Sequence, residues 1–260
     1  MDKVIVIKIG GSTFGSQDTT IEDIVSLQKQ GKSLLVVHGG GNLVNDWLAR
    51  QGIPARFIHG ERVTDGEMLE VVTAVLAGLA NKEIVAAINN SGGRAAGISG
   101  VDGSLIQSQI KDAELGYVGA VVRVDASILE ALVQAGYIPV VSPLGLHCVG
   151  KADNAPQLLN INGDYIAGEI AATVDAERLI FLTDVDGIRD KSGNLLSRLS
   201  SREAEDLITS RVAEGGMIPK IRACLTALSG NSPACIIDGR QPHALIREIE
   251  GHANGTTIYK

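Results

Sequence analysis

Short apolar runs alternate along this chain with stretches whose apolar positions recur every three to four residues, and glycine closes most of them. Val4 to Ile9 is apolar except for Lys8 and predicts a buried central strand. A polar, glycine-containing turn (Ser12 to Thr20) leads to a predicted helix from about Ile21 to Gln30, stopped by Gly31. Ser33 to Val37 predicts a second buried strand, ending in His38-Gly39-Gly40-Gly41. From Asn42 the spacing of Leu43, Trp47 and Leu48 predicts a helix closed by Gly52 and Pro54. Strand–helix–strand–helix in this short span is the signature of a doubly wound sheet.

Further along, Ala55 to Val63 predicts a hairpin or loop, and a long helix is expected from about Gly66 to Asn89. Arg94 to Ile98 reads as a strand, Asp102-Gly103 as a hairpin turn, and Val118 to Val124 as a paired strand. A helix over Ala126 to Gln134 precedes a strand at Ile138 to Val141 and a hairpin within Leu144 to Leu159. Then follow a helix (Asn162 to Thr173) and a strand (Arg178 to Thr183) ending in Asp184-Val185-Asp186-Gly187. Helices near Ser201 to Thr209 and Gly216 to Leu228 lead to a strand at Ala234 to Ile237. The expected fold is an open, mainly parallel α/β sandwich of three layers. Its two lobes, residues 1–175 and 176–260, would share one continuous sheet.

Composition narrows the class. Aromatic residues make up 3% of 260 residues, so Val, Ile, Leu and Ala must build the core, as in parallel strands covered by helices. A net charge of −7 argues against a general nucleic-acid binder, yet a local lysine cluster with backbone amides still binds an anion. Cys148, Cys224 and Cys235 lack C-x-x-C spacing and read as reduced thiols. No signal peptide fits before Gly10, and no run of about 18 apolar residues suggests a membrane span. The expectation is a soluble, cytoplasmic protein.

Three glycine-rich corners follow buried strands: Gly10-Gly11, Gly39-Gly40-Gly41 and the turn at Asp186-Gly187. In open α/β sheets ligands sit beyond the carboxyl ends of strands, where glycine lets backbone amides approach phosphate oxygens. Neither G-x-x-x-x-G-K-[ST] nor a complete G-x-G-x-x-G occurs, which disfavours P-loop and Rossmann enzymes. Lys8 lies between Ile7 and Ile9 and is costly to bury unless it meets an anion. Lys220 draws its weight from Gly215-Gly216-Met217-Ile218-Pro219 before it. Asn160-Ile161-Asn162-Gly163-Asp164 reads either as a helix cap or as amides for a polar substrate with a carboxylate to fix the lysines. Arg62 is either a surface charge or a bidentate partner for a carboxylate. His38 reads as a core histidine, and the five histidines show no metal-ligand spacing.

With these residues in place the chain resembles the amino acid kinase family nearly end to end. The likeness is carried by Val6-Ile7-Lys8-Ile9-Gly10-Gly11, Val37-His38-Gly39-Gly40-Gly41, Arg62-Val63-Thr64-Asp65 and Asn81-Lys82. Asn160 to Asp164, Leu182-Thr183-Asp184-Val185 with Gly187, and Gly216 to Lys220 extend it. The resemblance implies the fold described above and transfer of a phosphoryl group from ATP to N-acetyl-L-glutamate, the second step of arginine biosynthesis. It implies that Lys8 and Lys220 stabilise the travelling group, with Asp164 orienting both. Gly10, Gly11 and Gly40 would donate backbone N–H bonds to it. Gly40, Gly41, Arg62, Asn160 and Asn162 would bind the acyl amino acid, with Arg62 on its α-carboxylate. Thr183, Asp184, Val185, Asp186, Gly187, Ile188, Gly215, Gly216 and Met217 would hold the nucleotide, and Mg²⁺ would arrive mainly on its phosphates. Lacking the N-terminal helix of arginine-inhibited hexamers, the chain is expected to be a homodimer with little arginine response.

Two other functions compete. Kinases for carrier-linked glutamate or aminoadipate have more basic lips around the site; the acidic balance and the intact Gly216-to-Lys220 run favour the free acetylated acid. A non-catalytic nucleotide-binding module would have lost a lysine or Asp164, and all three are present.

Overall fold

The computed structural model describes residues 3–10, 19–58, 60–252 and 254–260. The chain begins with β1 (Ile5–Ile9), α1 (Thr20–Lys29), β2 (Leu34–His38), α2 (Gly41–Arg50), β3 (Phe57–Ile58) and β4 (Glu61–Arg62). A 25-residue rod follows, made of α3 (Gly66–Thr73), a π-helical segment (Ala74–Ala80) and α4 (Asn81–Asn90). Next come β5 (Ala95–Gly100), β6 (Ile106–Ile110), β7 (Gly119–Val124), α5 (Ser127–Gln134), β8 (Ile138–His147), β9 (Leu158–Asn160) and α6 (Gly163–Thr173). The chain ends with β10 (Arg178–Thr183), β11 (Arg198–Ser200), α7 (Ser201–Thr209), α8 (Met217–Ser229), β12 (Ala234–Asp238), α9 (Ala244–Ile249) and β13 (Gly255–Tyr259).

One sheet runs β11-β13-β12-β10-β1-β2-β8-β6-β7, with β5 and β9 also paired to β8. Its centre is parallel, and antiparallel pairing enters at β13, β7 and β9. From β1 the chain moves to β2 on one side and returns through β10 on the other. The crevice beyond the carboxyl ends of β1 and β10 is therefore a topological switch point, where ligands settle in such sheets.

The period of two along β1 divides the core. Val4 and Val6 pack on one face with Ile166 and Ile170 of α6 and Ile221 of α8. Ile5, Ile7 and Ile9 pack on the other with Ile24 of α1 and Ile84 and Ile88 of α4. Helices thus cover both faces, giving the three expected layers. Lys8 shares the face of Val4 and Val6 and is directed toward α6.

Three expectations change. Asp102-Gly103 is not a hairpin turn: β5 and β6 both lie parallel to β8, which is ten residues long and serves them in succession. Asp102 instead closes a tight turn, accepting hydrogen bonds from the Ser99 N–H and hydroxyl at 2.6 and 2.7 Å. The rod from Gly66 to Asn90 is long and apolar enough to cross a membrane, although no such run was expected. Here its apolar face is spent on the protein: Met68, Val72, Leu76, Ile84 and Ile88 are all buried. The third change is three unexpected elements: α9, which packs against α1 and β12, and β11 with β13 at the sheet edge. Buried Thr256 and Ile258 alternate with more exposed neighbours in β13, a strand pattern present in the sequence.

Candidate active site

Three charged groups meet at the switch point. Asn162 caps α6, its side-chain oxygen accepting the Asp164 N–H at 2.8 Å. This fixes Asp164 in the first helical turn, facing the sheet. Asp164 Oδ1 lies 2.6 Å from Lys8 Nζ, and Oδ2 lies 3.3 Å from Lys220 Nζ. Lys220 stands in the first turn of α8 and also donates to the Gly216 carbonyl at 3.3 Å. Burial alone would raise the Asp164 carboxyl, but the Lys8 and Lys220 ammonium groups outweigh it and hold the group below its usual range. Two cations against one carboxylate leave a local excess of one positive charge.

The glycine corners flank this triad. Gly39 N–H extends the sheet by donating to Ile9 O at 2.9 Å. Gly10 N–H does the same to Leu182 O at 3.1 Å, so it is committed to the sheet rather than offered to a ligand. Gly11 lies outside the described residues. Gly40 has φ of +153° and precedes α2, whose first N–H groups lack intrahelical acceptors. A Cβ on Gly40 would stand 2.6 Å from Leu76 Cδ2, so this corner needs glycine for both conformation and space.

His38 is a core histidine. Its Nδ1 meets the Gly39 carbonyl at 2.7 Å and its Nε2 meets Asn81 Nδ2 at 3.2 Å, an arrangement that suits a ring protonated on Nδ1 alone. Burial, with help from the Lys8 and Lys82 charges, lowers it to about 4.

A cleft of about 260 Å³ opens above the triad. Lys8, Gly39 to Gly41, Gly163 and Asp164 line it, as do the apolar side chains of Val44, Phe57, Val72, Leu76, Val118 and Pro143. Arg62, Asn160 and Asn162 line it too. Arg62 donates through Nη2 to Gly41 O at 3.1 Å and stacks on Phe57 at 4.9 Å. Its Nη1 is buried with no hydrogen-bond partner among the described residues. Asn160 Nδ2 donates to Thr64 Oγ1 at 3.0 Å, and Thr64 Oγ1 to Arg62 O at 3.1 Å, tying β9 to β4.

A second cleft of about 650 Å³ lies beyond β10 and β12. Asp184, Val185, Asp186, Gly187, Ile188 and Met217 line it; Thr183, Gly215 and Gly216 border it in sequence. Arg189, Asp238 and Arg240 also line it and were missed in the sequence. Arg240 grips Asp238 through Nε at 2.8 Å and Nη2 at 2.9 Å. Their only sequence signal is the polar Asp238-Gly239-Arg240 ending an apolar strand. Helix α8 joins the clefts: Met217 faces the larger one, and Lys220, one turn on, reaches Asp164 in the smaller.

Residues 3–238 match the model of the amino acid kinase family. The chain belongs to that family. An acetylglutamate kinase of Dehalococcoides mccartyi (strain CBDB1) is 49% identical over 255 residues, covering 98% of this chain and 94% of the relative. An acetylglutamate kinase of Cereibacter sphaeroides (strain ATCC 17029 / ATH 2.4.9) is 43% identical, covering 99% of this chain and 87% of the relative. Among solved structures, N-acetylglutamate synthase from Neisseria gonorrhoeae, complexed with coenzyme A and N-acetyl-glutamate, superposes with a TM-score of 0.84 at 26% identity. That match covers 99% of this chain and 59% of the synthase.

In this member of the amino acid kinase family, no group of three or more His, Cys, Asp or Glu side chains stands ready to hold a metal ion among the described residues. Two of the carboxylates lining the larger cleft are tied to arginines, Asp238 to Arg240 and Asp186 to Arg189.

Proposed function

We infer that this protein transfers the γ-phosphoryl group of ATP to the γ-carboxylate of N-acetyl-L-glutamate, forming N-acetyl-L-glutamyl 5-phosphate and ADP, in arginine biosynthesis. The observation that carries this reading is the Lys8–Asp164–Lys220 triad, set between a small cleft holding an unpaired guanidinium N–H and a larger cleft beyond the strand ends. Relatives named acetylglutamate kinase at 43–49% identity over nearly the whole chain support it.

The acyl amino acid occupies the smaller cleft, its α-carboxylate on Arg62 and its polar groups near Asn160 and the Gly40–Gly41 amides. Apolar side chains such as Val72, Leu76 and Val118 receive the methylenes and the acetyl methyl. ATP occupies the larger cleft, along Asp184 to Ile188 and Met217. A γ-carboxylate oxygen forms a bond to the γ-phosphorus as the bond from that phosphorus to the bridging oxygen of ADP breaks. An ionised carboxylate is already the nucleophile, so no base is needed, in keeping with a neutral, buried His38. Lys8 and Lys220 offset charge on the transferring oxygens, the Gly40 amide donates to them, and Asp164 holds both lysines in place. Gly10 has no part in this, since its N–H serves the sheet. Mg²⁺ bound with the nucleotide would neutralise phosphate charge, held by phosphates and water rather than by a protein cage.

The same reading assigns acceptor binding to residues 1–175 and nucleotide binding to 176–260. It places the protein in the cytoplasm as a homodimer built on the rod, where Ala74, Gly78 and Ala86 are small and exposed. An ATP-dependent hydroxamate assay with N-acetyl-L-glutamate, L-glutamate and a carrier-linked glutamate tests it. The acetylated acid should be the best acceptor; activity only on another, or on none, defeats the assignment.

A further inference from the structure

Among the described residues, four charged side chains line the smaller cleft: Lys8, Glu61, Arg62 and Asp164. Asp164 is neutralised by two lysines. Glu61 is the anomaly, a second carboxylate beside Arg62 in a cleft that receives an anion. Lys111 answers it: its Nζ lies 2.5 Å from Glu61 Oε2, with the Glu61 side chain only 13% exposed. Lys111 itself does not line the cleft. Its backbone N–H donates to Val118 O at 2.9 Å, and its ammonium lies 4.6 Å from the Tyr165 ring centroid, the residue after Asp164. Lys111, held by its backbone in the β6–β7 hairpin, thus carries one ammonium group that meets both β4 and the start of α6.

We propose that Lys111 is a positioning residue that fixes the acceptor class, by occupying Glu61 so that the cleft presents no unpaired carboxylate to the substrate nitrogen. This rests on the functional reading above. A free amino acid would bring an ammonium group into a cleft where both carboxylates are already paired and Lys8 and Arg62 repel it. An N-acylated amino acid carries a neutral amide instead, and its acyl group meets apolar wall. Without the Lys111 charge, Glu61 becomes a ready partner for an α-ammonium group.

The experiment compares kcat/KM for N-acetyl-L-glutamate and L-glutamate in the full-length wild type, Lys111→Met, Glu61→Gln and the double variant, with folding checked by circular dichroism. Lys111→Met should raise the preference for L-glutamate relative to the acetylated acid about tenfold or more, the scale of an uncovered charge pair in a cleft. Adding Glu61→Gln should return that ratio toward wild type, while KM for ATP stays constant throughout. Should Lys111→Met fail to fold, Lys111→Gln replaces it. A ratio unmoved by loss of the Lys111 charge, or one that Glu61→Gln does not restore, overturns the proposal. In both of those cases the wild type still prefers N-acetyl-L-glutamate. A wild type that prefers L-glutamate would overturn the functional reading as well.

Discussion

Lys8 Nζ and Asp164 Oδ1 stand 2.6 Å apart at the switch point of the sheet, both side chains less than 10% exposed. Neither could be buried alone at this depth. Together, with Lys220 on the second carboxylate oxygen, they form a charge site whose geometry is set before any ligand arrives.

Lys8→Arg keeps the charge but moves it onto a longer, planar head. Turnover should fall by about a hundredfold to a thousandfold, the usual range for loss of a placed transition-state donor. KM for N-acetyl-L-glutamate should change far less. Steady-state kinetics with both substrates varied checks this; an equal loss of binding would point to a folding role.

Asp164→Asn leaves two ammonium groups facing each other without their counter-ion. Breaking a buried pair of this kind costs about 3–5 kcal/mol, so urea unfolding should shift to clearly lower concentration. Because the Asp164 carboxyl is held below its usual range, its contribution is complete above about pH 4 and is lost as pH falls through the depressed value. The variant and the wild type should therefore converge in stability in strong acid.

Arg62→Lys tests the acceptor side. The guanidinium keeps one buried N–H unpaired, and a lysine cannot reproduce its fork. Losing one or two charge-assisted hydrogen bonds, at about 1.5–3 kcal/mol each, predicts a KM for N-acetyl-L-glutamate raised about tenfold to more than a hundredfold. KM for ATP should hold.

His243 and Asp23 join α9 to α1 through a 2.7 Å contact. That hydrogen bond and the Asp23 charge raise His243, so its stabilising share is complete below about pH 6.5 and fades as pH rises past the raised value. Asp23 is itself raised, because burial outweighs its partner, which limits the gain. His243→Gln should lower Tm near pH 6 and have much less effect near pH 9, measured by calorimetry.

Most of the central architecture was legible because a buried parallel sheet writes itself as apolar runs ending in glycine. The triad was legible as well, since Lys8 and Asp164 each break an apolar or capping pattern at a strand or helix end. Gly10 was misread because the partner of a backbone N–H depends on which strand lies alongside. Here that is Leu182 of β10, far from Gly10 in sequence. The Glu61–Lys111 pair has the same origin: two ordinary surface-type residues, 50 positions apart, brought together only by the β6–β7 hairpin. The Asp102-Gly103 turn failed for a related reason. Local turn chemistry was right, but the length of β8 let two strands share it in parallel.

The most direct test of direct transfer is phosphorus NMR of a reaction containing ATP, Mg²⁺ and N-acetyl-L-glutamate carrying heavy oxygen in its γ-carboxylate. The account predicts ADP and an acyl-phosphate resonance in equal amounts, the latter shifted by heavy oxygen in the bridge to phosphorus. Unchanged ATP, or inorganic phosphate with no labelled acyl phosphate, would contradict it.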